Sequence, residues 1–127
     1  MVREAVTTAK APAAVGPYSQ GIKANGFLYV SGQLPIIMAT GEQVADDIKR
    51  AVAACLANVV AIAEAGGSGR DGLVKVTMFL ADMNDFALAN EAYAAFFEGV
   101  VPPARSTFQV AKLPKNAIVE IEAIAAL

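Results

Sequence analysis

Arg105 and Glu120 are the residues of this chain best suited to carry chemistry. Arg105 follows Pro102-Pro103-Ala104 at the start of a predicted strand, and Glu120 comes fifteen residues later on an apolar C-terminal strand. A guanidinium presents a planar fork of donors that matches a small carboxylate bidentately. A carboxyl group is a proton acceptor, or a donor once its pKa is raised. The pair suggests a site where a small carboxylate-bearing molecule undergoes hydrolytic proton-transfer chemistry. Glu122 shares the strand face of Glu120, roughly 6.6–6.8 Å along the backbone, because side chains alternate across a strand. Arg105, Thr107 and Gln109 likewise share one face of the preceding strand. If the two strands form a hairpin, Arg105 and one glutamate become cross-strand neighbours, although the connecting loop is too long to fix that register. On these residues alone a plainer alternative stands beside this one: Arg105 and Glu122 as a solvent-facing ion pair contributing about 0–1 kcal/mol.

Composition narrows the chemistry. The chain contains no histidine, which excludes Ser-His-Asp and Cys-His catalysis and any histidine-ligated zinc. Its single cysteine, Cys55, permits neither an intrachain disulfide nor a thiolate cluster, so a reducing compartment is compatible. A net charge of −2 and a pI near 5.0, without a basic stripe, argue against a nucleic-acid partner. The first ten residues lack an apolar signal region. The most apolar run, 51–63, is too short for a membrane span. A cytoplasmic protein with one domain over 1–127 is expected. Of the residues in the 56% apolar fraction, 27 are alanines, which suits either an Ala-rich helix surface or close contacts between subunits.

The elements that must position these residues are legible in the pattern. Ala11 to Gln20 reads as an irregular Pro/Gly-rich arm. Phe27 to Ser31 reads as a strand, with a second short one over Ile36 to Met38. Val44, Ile48, Val52, Cys55, Val59 and Ile62 form one helical stripe ending at Gly66-Gly67. Cys55 on that stripe is a core filler. Val74 to Leu80 alternates as a strand, with Val74, Val76, Met78 and Leu80 on one face. Asn84 or Asp85 caps a second helix that turns Phe86, Ala89, Tyr93 and Phe96 or Phe97 inward, and Pro102-Pro103 forbids its continuation. Strands over about 104–110 and 117–125 follow, the last with Ile118 and Ile124 flanking the glutamates. The order predicts an α+β domain, a mixed sheet with two helices packed on one face. The uncovered sheet face implies an oligomer.

Several blocks, in one order, cover essentially the whole chain: Ala11-Pro12 with Gly16-Pro17-Tyr18 and Gln20-Gly21; Ser31-Gly32-Gln33 with Pro35; Thr40-Gly41-Glu42; Asp82 with Asn84-Asp85-Phe86; Asn90 with Tyr93; Pro103-Ala104-Arg105-Ser106; and Leu113-Pro114 through Glu120-Ile121-Glu122-Ala123. The chain thereby resembles the RidA/YjgF (L-PSP) family. The resemblance implies a chorismate-mutase-like fold, a homotrimer with clefts between subunits, and hydrolytic deamination of reactive 2-imino or enamine acids to 2-keto acids and ammonia. It implies no metal and no organic cofactor. It assigns Arg105 to the substrate carboxylate, Glu120 to water activation and proton transfer, and Tyr18, Ser31, Asn90 and Thr107 to substrate binding. Thr107 stands where many members carry cysteine, and its backbone N–H still serves as a donor. Two other activities stay open: RNA cleavage as a translation inhibitor, and a non-catalytic ligand-binding or chaperone-like trimer.

Overall fold

The computed structural model describes residues 2–127. Its six strands are β1 (Glu4–Val6), β2 (Gly21–Ala24), β3 (Phe27–Gln33), β4 (Leu73–Leu80), β5 (Ala104–Gln109) and β6 (Val119–Ala126). They form one sheet in the order β1-β2-β3-β6-β4-β5, with only the β4–β5 pair parallel. Helices α1 (Ile48–Ala65) and α2 (Phe86–Phe96) make the crossovers β3-α1-β4 and β4-α2-β5. The C-terminal strand β6 enters the gap between β3 and β4 and runs antiparallel to both.

One sheet face packs on the helices. Its strand residues include Leu28, Val30, Val76, Met78, Leu80, Val119 and Ile121, all buried against Val52, Cys55, Leu56, Val59 and Ile62 of α1. Each such side chain contributes about 1.5–3 kcal/mol on leaving water. The α1 stripe lies where the spacing puts it, but the helix starts later than the stripe. Asp47 caps it by accepting from the Arg50 N–H, and Val44 stays in the loop, buried, with its N–H donated to the Pro35 carbonyl. Gly67 leaves the helix at φ +97°, a conformation that a side chain disfavours. Among the described residues, no helix is long and apolar enough to cross a membrane.

Four local expectations change. A register shift between Leu73 and Lys75 expels Val74 from the alternation, so Leu73 is buried and Val74 exposed. Residues 36–38 make only an isolated bridge, Ile36 to Gln43, while β3 continues through a bulge to Gln33. Asp82, not Asn84 or Asp85, caps by side chain, in the short turn before α2. Ile118 precedes β6 and packs against the core instead of beside the glutamates.

Candidate active site

β5 and β6 do not form a hairpin, because β4 lies between them. The consequence for the two chemical residues is direct. Arg105 pairs with Val76 of β4, and Glu120 pairs with Phe79 of the same strand. Paired residues share a face, and positions an odd number apart on a strand face opposite ways. Arg105 therefore projects to the helix side, and Glu120 and Glu122 to the open side. The ion pair between Arg105 and Glu122 is excluded within one chain for the same reason.

On the helix side, Arg105 meets α2. Its Nη1 donates to Asn90 Oδ1 at 2.9 Å. Its Cζ lies 4.6 Å from the Tyr93 ring centroid and 5.7 Å from that of Phe86. Phe86 is thus partly exposed beneath the guanidinium and not an inward core residue, whereas Ala89, Tyr93 and Phe97 are buried. Asn90 reaches the arginine itself. A cleft of about 440 Å³ opens here, lined by Tyr93, Ala94, Phe97, Pro102, Pro103 and Arg105. Thr107, two residues on, faces the same way, and its buried hydroxyl has no hydrogen-bond partner. The Tyr93 hydroxyl is also buried and unpartnered. Burial raises the Tyr93 pKa, and the Arg105 charge acts in the opposite direction.

On the open side, a second cleft of about 690 Å³ takes in Tyr18, Ser31, Gly32, Lys115, Glu120 and Glu122. The arm that carries Tyr18 is tied down by Gln20, whose amide donates to the carbonyls of Thr8, Ala11 and Pro12 and accepts from the Thr8 N–H. Ser31 secures the arm's end: its hydroxyl donates to the Ser19 carbonyl at 2.6 Å, so it is a tether as well as a cleft wall. Gly32 is required for the placement of Glu120. A Cβ there would stand 2.6 Å from Glu120 Oε2. Burial first, and the Glu122 carboxylate second, hold the Glu120 carboxyl above its ordinary range. On the other side of β6, burial and then Glu120 push up the thiol of Cys55, which stays in the core.

The six sequence-predicted residues thus fall into two groups: Arg105, Asn90 and Thr107 in one, Tyr18, Ser31 and Glu120 in the other. One chain does not bring the groups together. Phe86 and Tyr93 were readable only as core, although their spacing with Asn90 places all three on one helix stripe. Gly32 carried no signal for its role, which depends on the β3–β6 register. Among the described residues, no three His, Cys, Asp or Glu side chains are grouped as a metal ion requires. A third cleft at the start of α1 is lined by Asp46 and Asp85 and by three charges engaged locally, Asp47 as cap, Lys49 with Glu91 and Arg50 with Glu42.

Residues 8–127 match the family described as Endoribonuclease L-PSP. A RutC family protein of Pyrococcus horikoshii is 49% identical over 98% of both chains. The chloroplastic Reactive Intermediate Deaminase A of Arabidopsis thaliana is 48% identical over 98% of this chain and 66% of that protein. The chain belongs to the RidA/YjgF family. Its fold is the family's: the crystal structure of E. coli TdcF with bound serine superposes with a TM-score of 0.93 at 42% identity, covering 98% of each chain. Members of this family include proteins named as deaminases.

Proposed function

We propose that this protein hydrolyses reactive 2-imino and enamine acids to 2-keto acids and ammonia, as a homotrimer with its sites between subunits. The observation that carries the reading is the placement of Arg105 and Glu120 on opposite faces of one sheet, each in an open cleft. A closed ring in which the Arg105 edge of one copy meets the Glu120 face of the next completes one site per interface. The open face offers a surface for this contact, with Phe27, Tyr29 and Phe108 42–52% exposed beside Glu120 and Glu122. The relatives named as 2-iminobutanoate/2-iminopropanoate deaminases and the serine held by TdcF support a small carboxylate-bearing ligand.

In this reading Arg105 holds the substrate carboxylate, helped by the Thr107 backbone N–H. Glu120 takes a proton from water as its oxygen bonds to the iminium carbon, giving a carbinolamine. Glu120 then returns that proton to nitrogen, the C–N bond breaks as the C=O bond forms, and ammonia leaves with the hydroxyl proton. An iminium is already electrophilic, so orientation and proton transfer suffice. Tyr18, Ser31 and Asn90 shape the pocket, and a cytoplasmic setting suits the single reduced cysteine.

The test is a coupled assay in which an amino-acid oxidase generates imino acids and semicarbazide traps the survivors. Faster loss of trapped product with the protein present is expected; an unchanged rate would refute the reading. Light scattering at micromolar concentration is expected to give a trimer, and a monomer would remove the inter-subunit site. The family's description favours RNA cleavage as a second reading. Two carboxylates in the cleft and a net charge of −2 oppose a phosphate backbone there. RNA cleavage that survives purification and disappears in Glu120→Gln would reverse that judgement.

A further inference from the structure

Arg105 is fixed in place without being neutralised. No carboxylate lies within 4 Å of it among the described residues, where the ion pairs are Lys23–Glu4, Lys49–Glu91 and Arg50–Glu42. Its support is instead neutral and comes from one helix. Phe86, Asn90 and Tyr93 stand four and three residues apart, so they form a single stripe on α2. Asn90 accepts one guanidinium N–H at 2.9 Å, and the rings of Tyr93 and Phe86 lie 4.6 and 5.7 Å from its carbon. An aromatic face attracts a cation through its quadrupole without supplying a counter-charge. One of five donors is engaged, and the others stay available to an incoming anion.

A guanidinium is more often held by an acidic partner, which orients it but cancels its charge. Tyr93 is itself held rigidly, 6% exposed, with its ring 4.8 Å from that of Phe97, which in turn meets Phe96 edge-on at 5.2 Å. The position of the arginine is therefore set by an aromatic ladder rooted in the core. We propose that Phe86, Asn90 and Tyr93 are positioning residues that hold Arg105 as an uncompensated cation, so that the pocket selects ligands bearing one carboxylate. This deepens the reading above, since it rests on Arg105 as the carboxylate receptor.

The experiment measures 2-oxobutanoate binding by calorimetry and imine turnover separately, on the intact protein. Asn90→Asp, nearly isosteric, places a negative charge against Nη1. It is expected to raise Kd about 10-fold or more, because a charged hydrogen bond to the ligand is traded for an internal pair. Asn90→Ala, which only removes the acceptor, should cost distinctly less. Tyr93→Leu should weaken binding, and Tyr93→Phe, which keeps the ring, should recover most of that loss. Should Tyr93→Leu fail to fold, the Asn90 pair decides alone. Equal affinities for Asn90→Asp and Asn90→Ala would overturn the inference and leave the deaminase reading intact if wild-type turnover persists. Wild-type binding lost in Asn90→Asp, without imine turnover in the wild type, would sustain the inference and sink that reading. Absence of any 2-oxobutanoate binding to wild type would overturn the inference, and the deaminase reading would then stand or fall on wild-type imine turnover alone.

Discussion

Arg105 and Glu120 lie on opposite faces of the same sheet, registered to Val76 and Phe79 of the shared strand β4. No side-chain rotation brings them together across a sheet whose helix face is filled by Val76, Met78 and Ile121. If both act on one substrate, they act from different chains.

Mixing variants should therefore restore activity. Arg105→Ala and Glu120→Gln are each expected to be nearly inactive. In the proposed trimer, variants co-assembled in equal amounts by unfolding and refolding regain one intact site in three in each mixed assembly. Random assembly then returns about one quarter of wild-type turnover. No recovery in mixtures shown by mass spectrometry to contain hybrid trimers would rule out the shared site.

Replacing Arg105 by lysine tests the fork. Lysine keeps the charge but cannot reproduce two parallel donors in a plane. We expect Arg105→Lys and Arg105→Ala both to lose most imine hydrolysis while light scattering still gives the wild-type mass. Near-wild-type turnover in either variant would remove Arg105 from the mechanism.

Gly32 offers a test that removes no polar group. In Gly32→Ala the new methyl meets the Glu120 carboxylate at 2.6 Å and must displace it. A misplaced proton-transfer group lowers kcat, and keto-acid binding through Arg105 should change little. A 10-fold or greater fall in kcat, to order of magnitude, is expected. An unaffected kcat would show that the placement of Glu120 is not critical.

The fold was legible because its signals are local. The α1 stripe and the β4 alternation each sit within about twenty residues, and they survive apart from the bulge that expels Val74. The in-order blocks carried the family. Strand order was not legible, since the entry of β6 between β3 and β4 is settled by long-range packing and not by the loop after β5. A hairpin was the natural expectation for consecutive strands, and it placed Arg105 beside the glutamates. Tyr93 looked like core for an equally physical reason: it is core, and its ring face also carries Arg105. The β3 tether through Ser31 and the room beside Gly32 depend on pairs far apart in sequence and left no local trace.

The pH dependence follows from Glu120. The groups that face it are Glu122 on its own strand, Lys115 and Tyr18 at the cleft, and Cys55 behind β6. Burial and Glu122 raise its pKa, so turnover that needs the carboxylate falls as pH drops through that raised value, above 4.5. Glu122→Gln removes one of the two causes and should move the acidic limb of kcat to lower pH. A limb that stays in place, or moves up, would contradict the assignment of that limb to Glu120.

The two carboxylates are finally separated by comparing Glu120→Gln with Glu122→Gln at a pH above that limb. Gln keeps the size and a hydrogen-bonding oxygen but cannot accept a proton from water. Both side chains line the cleft, yet Glu122 is exposed and Glu120 half-buried beside Gly32. A group that acts on water in the transition state should lower kcat with little effect on ground-state carboxylate affinity, which the proposed mechanism assigns to Arg105. Glu120→Gln is expected to reduce kcat about 100-fold or more, within the range of general acid–base catalysis, while Kd for 2-oxobutanoate changes little. Glu122→Gln should cost far less in kcat, because its charge tunes Glu120 without touching the proton in flight. A large loss in the Glu122 variant with none in the Glu120 variant would transfer the catalytic role to Glu122, the carboxylate with the freer access to solvent.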